Sequence, residues 1–256
     1  MKIDFRGLMF RIWYWYISKI DKKAEVVFMN YGYHDANENI PLSAQDEANR
    51  YPIQLYHRLA RTIDLNGKSI VEVGCGRGGG LDYICRTFKP KTALGIDLNQ
   101  RAASFANKHF KQEGLTYMQG DAQNLPVQSQ SFDVVLNVES SHRYPEMDKF
   151  LAGVKRVLKP GGHFLFTDFR YPHEMPQLEK QLEALGFKLT EKQKINPNVL
   201  LALEKDNQRR EKLIKKLTPF FLHKVARDFS GTTGSLTYNQ IANEEYIYFL
   251  YVFERE

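Results

Sequence analysis

The chain of 256 residues holds two cysteines, Cys75 and Cys85. Two thiols cannot build a disulfide framework and match no metal spacing, so no metal site and a reducing cytoplasmic setting are expected. No run of about 18 apolar residues occurs, so no transmembrane helix is expected. Arg6 and Arg11 interrupt the apolar N-terminal stretch and no small-residue cleavage site follows, so a secretory signal is not expected. A concentrated basic stripe is also missing. The net charge of +6 is modest, and nucleic acid is not the expected partner. Arg209, Arg210, Lys212, Lys215 and Lys216 alternate with Leu213, Ile214 and Leu217, which reads as a solvated face on an amphipathic insertion. Internal repeats and low-complexity linkers are absent. What remains, 43% hydrophobic and 26% charged, is the composition of a globular protein able to bury a sizeable core.

The most informative stretch is Ser69-Ile70-Val71-Glu72-Val73-Gly74-Cys75-Gly76-Arg77-Gly78-Gly79-Gly80. It reads as a β-branched strand, a glycine turn and a helix over 81–88, the nucleotide-type site of an open α/β sheet. Gly74, Gly76 and Gly79 also satisfy the G-x-G-x-x-G of dinucleotide enzymes. Charge separates the two readings. A pyrophosphate seeks helix-terminal amides and is repelled by a carboxylate. Glu72 suits instead the sulfonium and ammonium of S-adenosylmethionine.

Strand and helix patterns alternate from here, which argues for a doubly wound, mostly parallel sheet. Residues 45–62 form an amphipathic helix ahead of the first strand. The second strand, 92–97, ends on Asp97, placed to accept from both ribose hydroxyls; the plainer reading is a cap on the 100–110 helix. Asp121 closes a third strand, as an acceptor for the adenine amino group or as a turn residue. The run 131–138 is apolar throughout, as a strand buried on both faces should be. A polar loop from Glu139 to Pro145 follows at the ligand-binding end. After a helix over 147–158, the Lys159-Pro160-Gly161-Gly162 turn leads into a strand over 163–169. A helix over 174–185, a strand near 187–195, one or two helices over 198–227 broken near Pro219, and a last strand over 245–253 complete the chain. Residues 1–29 carry Phe5, Met9, Trp13, Tyr16 and Ile20 at helical spacing. They read as a packed helix, a lid over a hydrophobic substrate, or a weak membrane-surface contact.

The ordered set Val71-Glu72-Val73-Gly74-Cys75-Gly76-Arg77-Gly78, Gly95-Ile96-Asp97-Leu98, Gly120-Asp121-Ala122, Phe132-Asp133-Val134-Val135 and Arg156-Val157-Leu158-Lys159-Pro160-Gly161-Gly162 resembles the class I S-adenosylmethionine-dependent methyltransferases. The resemblance covers 65–169. It implies a seven-stranded Rossmann-like sheet with the last strand antiparallel. It further implies S-adenosyl-L-methionine as cofactor, leaving as S-adenosyl-L-homocysteine. The family's cofactor contacts map onto Glu72, Gly74, Cys75, Gly76, Gly78, Asp97, Leu98, Asp121, Ala122 and Asn137. The expected organisation is a helical lid over 1–45, a cofactor domain over 46–196, a helical insertion over 197–240 and a final strand within 241–256.

The segments around Met29-Asn30-Tyr31-Gly32-Tyr33 and Val138-Glu139-Ser140-Ser141-His142-Arg143-Tyr144-Pro145 resemble small-molecule O-methyltransferases acting on phthiotriolone-type lipids and on natural-product sugars. On that resemblance His142 and Asp168 serve the acceptor hydroxyl, with Tyr31, Tyr33, Ser141 and Tyr144 as candidate substrate contacts. An aliphatic hydroxyl needs a base that titrates near neutrality, which histidine supplies. Trp13, Trp15, Tyr16, Phe220 and Phe221 lie outside the common domain and are expected to wall in a bulky, partly apolar acceptor such as a lipid, polyketide or glycoside. N- or C-methylation in the same site and non-catalytic cofactor binding are the alternatives. A homodimer is left open.

Overall fold

Five β-branched or aromatic runs decide the centre of the fold. In the computed structural model, which describes Tyr16, residues 19–21 and residues 24–256, they are β1 (Ser69–Val73), β2 (Thr92–Asp97), β4 (Phe132–Val138), β5 (Leu158–Arg170) and β7 (Ile247–Arg255). With β3 (Leu115–Gln119) and β6 (Phe187–Lys194) they make one seven-stranded sheet, ordered β3-β2-β1-β4-β5-β7-β6. β1 pairs in parallel with β2 and β4, β2 with β3, and β4 with β5. β7 runs antiparallel to both β5 and β6. This is the expected doubly wound sheet with an antiparallel last strand.

Alternation along each strand feeds two cores. Ile70, Leu136, Leu165 and Leu250 point to the face covered by α1 (Arg50–Ala60), α2 (Gly79–Phe88) and α3 (Gln100–His109). Val71, Val135, Phe164 and Phe249 point to the other face, under α4 (Met147–Val157) and α5 (Met175–Ala184). The insertion follows as α6 (Asn196–Leu217), α7 (His223–Ser230) and α8 (Leu236–Ala242). Its break at Thr218 and Pro219 lies where proline predicts one, since Pro219 has no amide to continue the helix.

Several boundaries move for local reasons. α1 starts at Arg50 rather than 45, after a 3-10 turn at Glu47–Asn49. The Lys159–Gly162 turn is absorbed into β5, whose register against β4 shifts between Phe132 and Val134. There Asp133 accepts from the Ser69 amide at 2.8 Å and from Lys159 Nζ at 2.8 Å, tying three chain segments at the sheet's lower edge. Asn99, not Asp97, caps α3, accepting from the Arg101 amide at 3.0 Å.

Arg210 corrects the reading of the insertion as a solvated basic face. It is buried, its Nε lies 2.9 Å from Asp206, and it donates to the carbonyls of Asn30, Tyr31 and Ser230. A helix that packs its side against a loop with free carbonyls needs donors there. The guanidinium supplies them.

Candidate active site

The strand order reverses between β1 and β4, and ligands of open α/β sheets bind at the carboxyl ends of the strands beside such a point. β1 ends there, and the chain turns at Gly74 with φ +76°. A Cβ on Gly74 would lie 2.3 Å from Ser140 Oγ, so only glycine lets this loop rest on the loop after β4. Asn137 braces the contact, donating to the Val73 carbonyl at 2.9 Å and to Ser140 Oγ at 2.8 Å. Asp97 reaches across from β2, accepting from the Gly76 amide at 2.9 Å and the Asn99 amide at 2.8 Å.

These loops border a cleft of about 1000 Å³. Of the expected cofactor positions, Gly74, Cys75, Gly76, Asp97, Leu98, Asp121 and Ala122 line it. Glu72, Gly78 and Asn137 do not, and for Glu72 this is a correction. Its side chain is fully buried behind the wall, where Oε1 accepts from Tyr56 Oη at 2.7 Å and Oε2 has no partner among the described residues. Burial pushes its carboxyl up to about 7, against the lowering effect of the Tyr56 hydrogen bond. Tyr56 lines the cleft and links Glu72 to it.

A cationic cofactor fits this wall. Asp97 and Asp121 are the acids lining its glycine-loop end, and Asn137 Oδ1 is a buried acceptor with no partner among the described residues. Arg77, the one cation of the glycine loop, borders the cleft, but its guanidinium is buried and engaged elsewhere. Its guanidinium donates to the Asp21 carbonyl at 3.0 Å and lies 3.9 Å above the Phe105 ring. A pyrophosphate would find acids and no available cation on the loop.

At the other end of the cleft, β5 delivers Asp168 and a 3-10 turn at Ser141–Arg143 delivers His142. His142 Nδ1 lies 2.7 Å from Asp168 Oδ1. The opposite oxygen, Oδ2, accepts from Ser141 Oγ at 2.7 Å and from the His142 amide at 3.0 Å. Arg170 stands 3.2 Å from the same carboxylate and donates to Ser141 Oγ at 2.7 Å. Burial alone would raise the Asp168 pKa, but His142, Arg170 and these hydrogen bonds hold it well below the usual carboxylate range. Burial, aided by the nearby Arg143 and Arg170 charges, lowers the His142 pKa against the raising effect of Asp168, so the ring is neutral at neutral pH. An ionised Asp168 on the Nδ1 side places the proton there and leaves the lone pair on Nε2. Nε2 is buried and has no hydrogen-bond partner among the described residues. Phe169 closes the ring's flank at 4.3 Å.

Among the expected acceptor contacts, Tyr31, Ser141 and Tyr144 line the cleft and Tyr33 does not. Gly32, at φ +90°, turns the loop so that Tyr33 enters the core. Asp168 is likewise behind the wall, reaching the cleft through His142. Phe220 and Phe221 point to solvent, 87% and 79% exposed, and form no part of the aromatic wall expected of them. Phe229 lines it instead. Trp13 and Trp15 lie outside the described residues.

Sequence reading passed over Glu139. It lines the cleft directly after β4, holds φ at +46°, and accepts from the Tyr31 amide at 2.7 Å. Burial pushes its carboxyl up to about 8. A carboxylate immediately beyond an apolar strand at the ligand-binding end was the available signal. Positive φ in a residue other than glycine marks strain of the kind that gathers at functional sites.

A family model described as a methyltransferase domain matches residues 71–166. A fatty-acid O-methyltransferase of Mycolicibacterium smegmatis is 45% identical over 210 residues, covering 82% of this chain and 77% of the relative. A phthiotriol/phenolphthiotriol dimycocerosates methyltransferase of Mycobacterium tuberculosis is 40% identical over 250 residues, covering 96% of this chain and 93% of the relative. Two solved structures share the fold at low identity. One is a geranyl diphosphate C-methyltransferase of Streptomyces coelicolor, with a TM-score of 0.70, 13% identity and 98% of both chains covered. The other is the cyclase SpnF, with a TM-score of 0.69, 18% identity, and 98% and 94% covered. A cyclase on this fold shows that the sheet alone does not name the reaction. Identity of 40% along nearly the whole length does what the sheet cannot, and the chain belongs to the class I S-adenosylmethionine-dependent methyltransferases.

Proposed function

We propose that this methyltransferase acts on a hydroxyl oxygen of a lipid-type acceptor, with His142 as general base and Asp168 as the group that orients it. The observation that carries the reading is the buried, unpartnered Nε2 of a histidine whose Nδ1 is tied to a carboxylate. The lipid class is taken from the two curated relatives, one named for fatty acids and one for phthiotriol dimycocerosates. When bound, S-adenosylmethionine supplies a methyl group on a sulfonium sulfur already activated for displacement.

The protein's part is alignment and proton removal. Asp97 and Asp121 hold the cofactor end, and His142 Nε2 takes the acceptor proton while Asp168 steadies the imidazolium. Residues 1–45 and, through Phe229 and Thr237, the insertion over 197–240 act as covers for the acceptor end, with Phe220 and Phe221 on the side away from it. Val27, Phe28 and Phe229, which line the cleft, support that part of the reading.

A carboxyl acceptor is a second reading, favoured by the fatty-acid relative at 45% identity. A carboxylate is already ionised at neutral pH and needs no base, so His142 would only bind it. Radiolabelled methyl transfer to a long-chain alcohol and to a fatty acid, with wild type and His142→Ala, separates the two. The hydroxyl reading expects the alcohol to be methylated, with a loss of about 10²–10⁴ in turnover at saturation in the variant. Methylation of the fatty acid alone, at rates indifferent to His142, would remove the base from the mechanism.

A further inference from the structure

Phe220 and Phe221 are the most exposed large apolar side chains among the described residues. They follow Pro219 in the turn between α6 and α7, where polar residues are the usual choice. The short 3-10 segment Phe220–Leu222 is held from beneath, since Leu222 packs with Ile214, Ala226 and Phe229. Both phenylalanines are thus presented outward on a supported turn.

The charge carried by the turn and its flanks is predominantly positive. Between Glu211 and Asp228 the sequence carries Lys212, Lys215, Lys216, Lys224 and Arg227 and no acid. Lys216 pairs with Glu25 and Arg227 with Glu211. Lys212, Lys215 and Lys224 are exposed and hold no ion pair among the described residues. Just before the turn, Leu213, Ile214, Leu217 and Thr218 line a small second cavity of about 80 Å³. That cavity shares Phe28, Tyr31 and Phe229 with the wall of the main cleft. This cavity, which Asn30, Arg209, Arg210 and Ser230 also line, adjoins the foot of the turn on one side and the wall of the main cleft on the other.

We propose that the turn at Pro219, Phe220 and Phe221 docks the enzyme on an anionic lipid surface, inserting the two rings among the acyl chains while the lysines meet the headgroups. This deepens the lipid reading above and rests on it for its purpose, though not for its test. Apolar rings ringed by lysines are the chemistry of an interfacial anchor. A second copy of the chain fits less well. Two copies meeting through the same turn would bring their unpaired lysines together.

The test is co-sedimentation with vesicles of phosphatidylcholine alone and of phosphatidylcholine mixed with phosphatidylglycerol, without acceptor or cofactor. Wild type, F220S/F221S and K215E/K224E are compared, with sedimentation velocity in the absence of vesicles. The wild type is expected to sediment with the mixed vesicles and to be released by salt. F220S/F221S should bind about tenfold or more weakly, and K215E/K224E should lose its preference for the anionic vesicles. F220S/F221S should keep wild-type turnover on a detergent-dispersed acceptor, because neither ring lies on the cleft wall. A wild type that stays in the supernatant, or binds neutral and anionic vesicles alike, would overturn the proposal. So would an F220S/F221S variant that sediments like wild type, or that only converts a dimer to monomers. Vesicle binding is read without catalysis, so its failure leaves the proposed methyl transfer untouched, and the reverse also holds.

Discussion

Replacing Asp168 with asparagine tests the dyad at one atom. Asp168 Oδ1 faces His142 Nδ1 at 2.7 Å and the Phe169 amide at 2.9 Å, while Oδ2 faces Ser141 Oγ and the His142 amide. An amide group offers one oxygen for these two sides. With its nitrogen toward His142, its N–H forces the imidazole proton onto Nε2 and meets the Phe169 N–H head on. With its nitrogen toward Ser141, it leaves the His142 amide without an acceptor. Either orientation orphans a buried donor, at a cost of about 1–3 kcal/mol. Arg170 also loses its counter-charge, and breaking such a buried pair costs about 3–5 kcal/mol.

The expected loss in turnover is about 10²–10⁴, measured as label transfer at saturating acceptor, with cofactor affinity by calorimetry unchanged. Because the two residues work as a unit, D168N/H142A should be little worse than either single variant. The pH profile distinguishes a catalytic role from a structural one. The active form has a neutral ring with a depressed pKa, so wild-type activity is present at neutral pH and lost as pH falls below the usual histidine value of 6.5. Asp168 raises the His142 pKa, so the same limb should move to still lower pH in D168N. Turnover within about threefold of wild type, on an unmoved limb, would refute the mechanism.

Asp97→Ala removes a carboxylate that lines the cleft and should weaken cofactor binding by about 1.5–3 kcal/mol; unchanged calorimetry would take Asp97 out of the site. Arg210→Met leaves the carbonyls of Asn30 and Tyr31 without their donor, and urea unfolding should show a loss of about 3 kcal/mol. The exposed Lys212→Ala should stay within about 0.5 kcal/mol, and an equally mild Arg210→Met would restore the solvated-face reading. Glu72 and Glu139 are raised to about 7 and about 8 from 4.5, so between pH 4.5 and 8 these two carboxyls bind more protons in the folded state than in the unfolded one. The stability that Glu139 contributes should therefore fall as pH rises across that window, read in ligand-free protein as wild type minus Glu139→Gln so that the oppositely shifted histidines cancel. A wild-type-minus-variant difference that is level or rising there would contradict the burial of Glu139.

The sheet was legible because its information is local. Val71 to Gly76, Ala93 to Asp97 and Phe132 to Val138 each state strand, turn and direction within a few residues, and their order implies parallel crossovers. Asp97, Asp121 and His142 were legible for the same reason, since each ends or follows a strand at the ligand-binding end. Depth behind the wall was not. Glu72 and Gly74 are two residues apart, yet Glu72 is buried behind the wall while Gly74 borders the cleft. Only the packing of Tyr56 from α1 decides what the carboxylate touches. The same holds for side chains whose partners are far away in sequence. Arg210 looks like any lysine-rich helix face until Asn30 and Tyr31 are brought against it, and Glu139 looks like loop polarity until the Tyr31 amide arrives. Phe220 and Phe221 failed in the opposite direction. Aromaticity alone predicted burial against an acceptor, whereas the turn that carries them directs both rings to solvent. Strand pattern is a property of neighbours in the chain, but burial, pairing and pKa belong to neighbours in space, and those exist only once the helices have closed on the sheet.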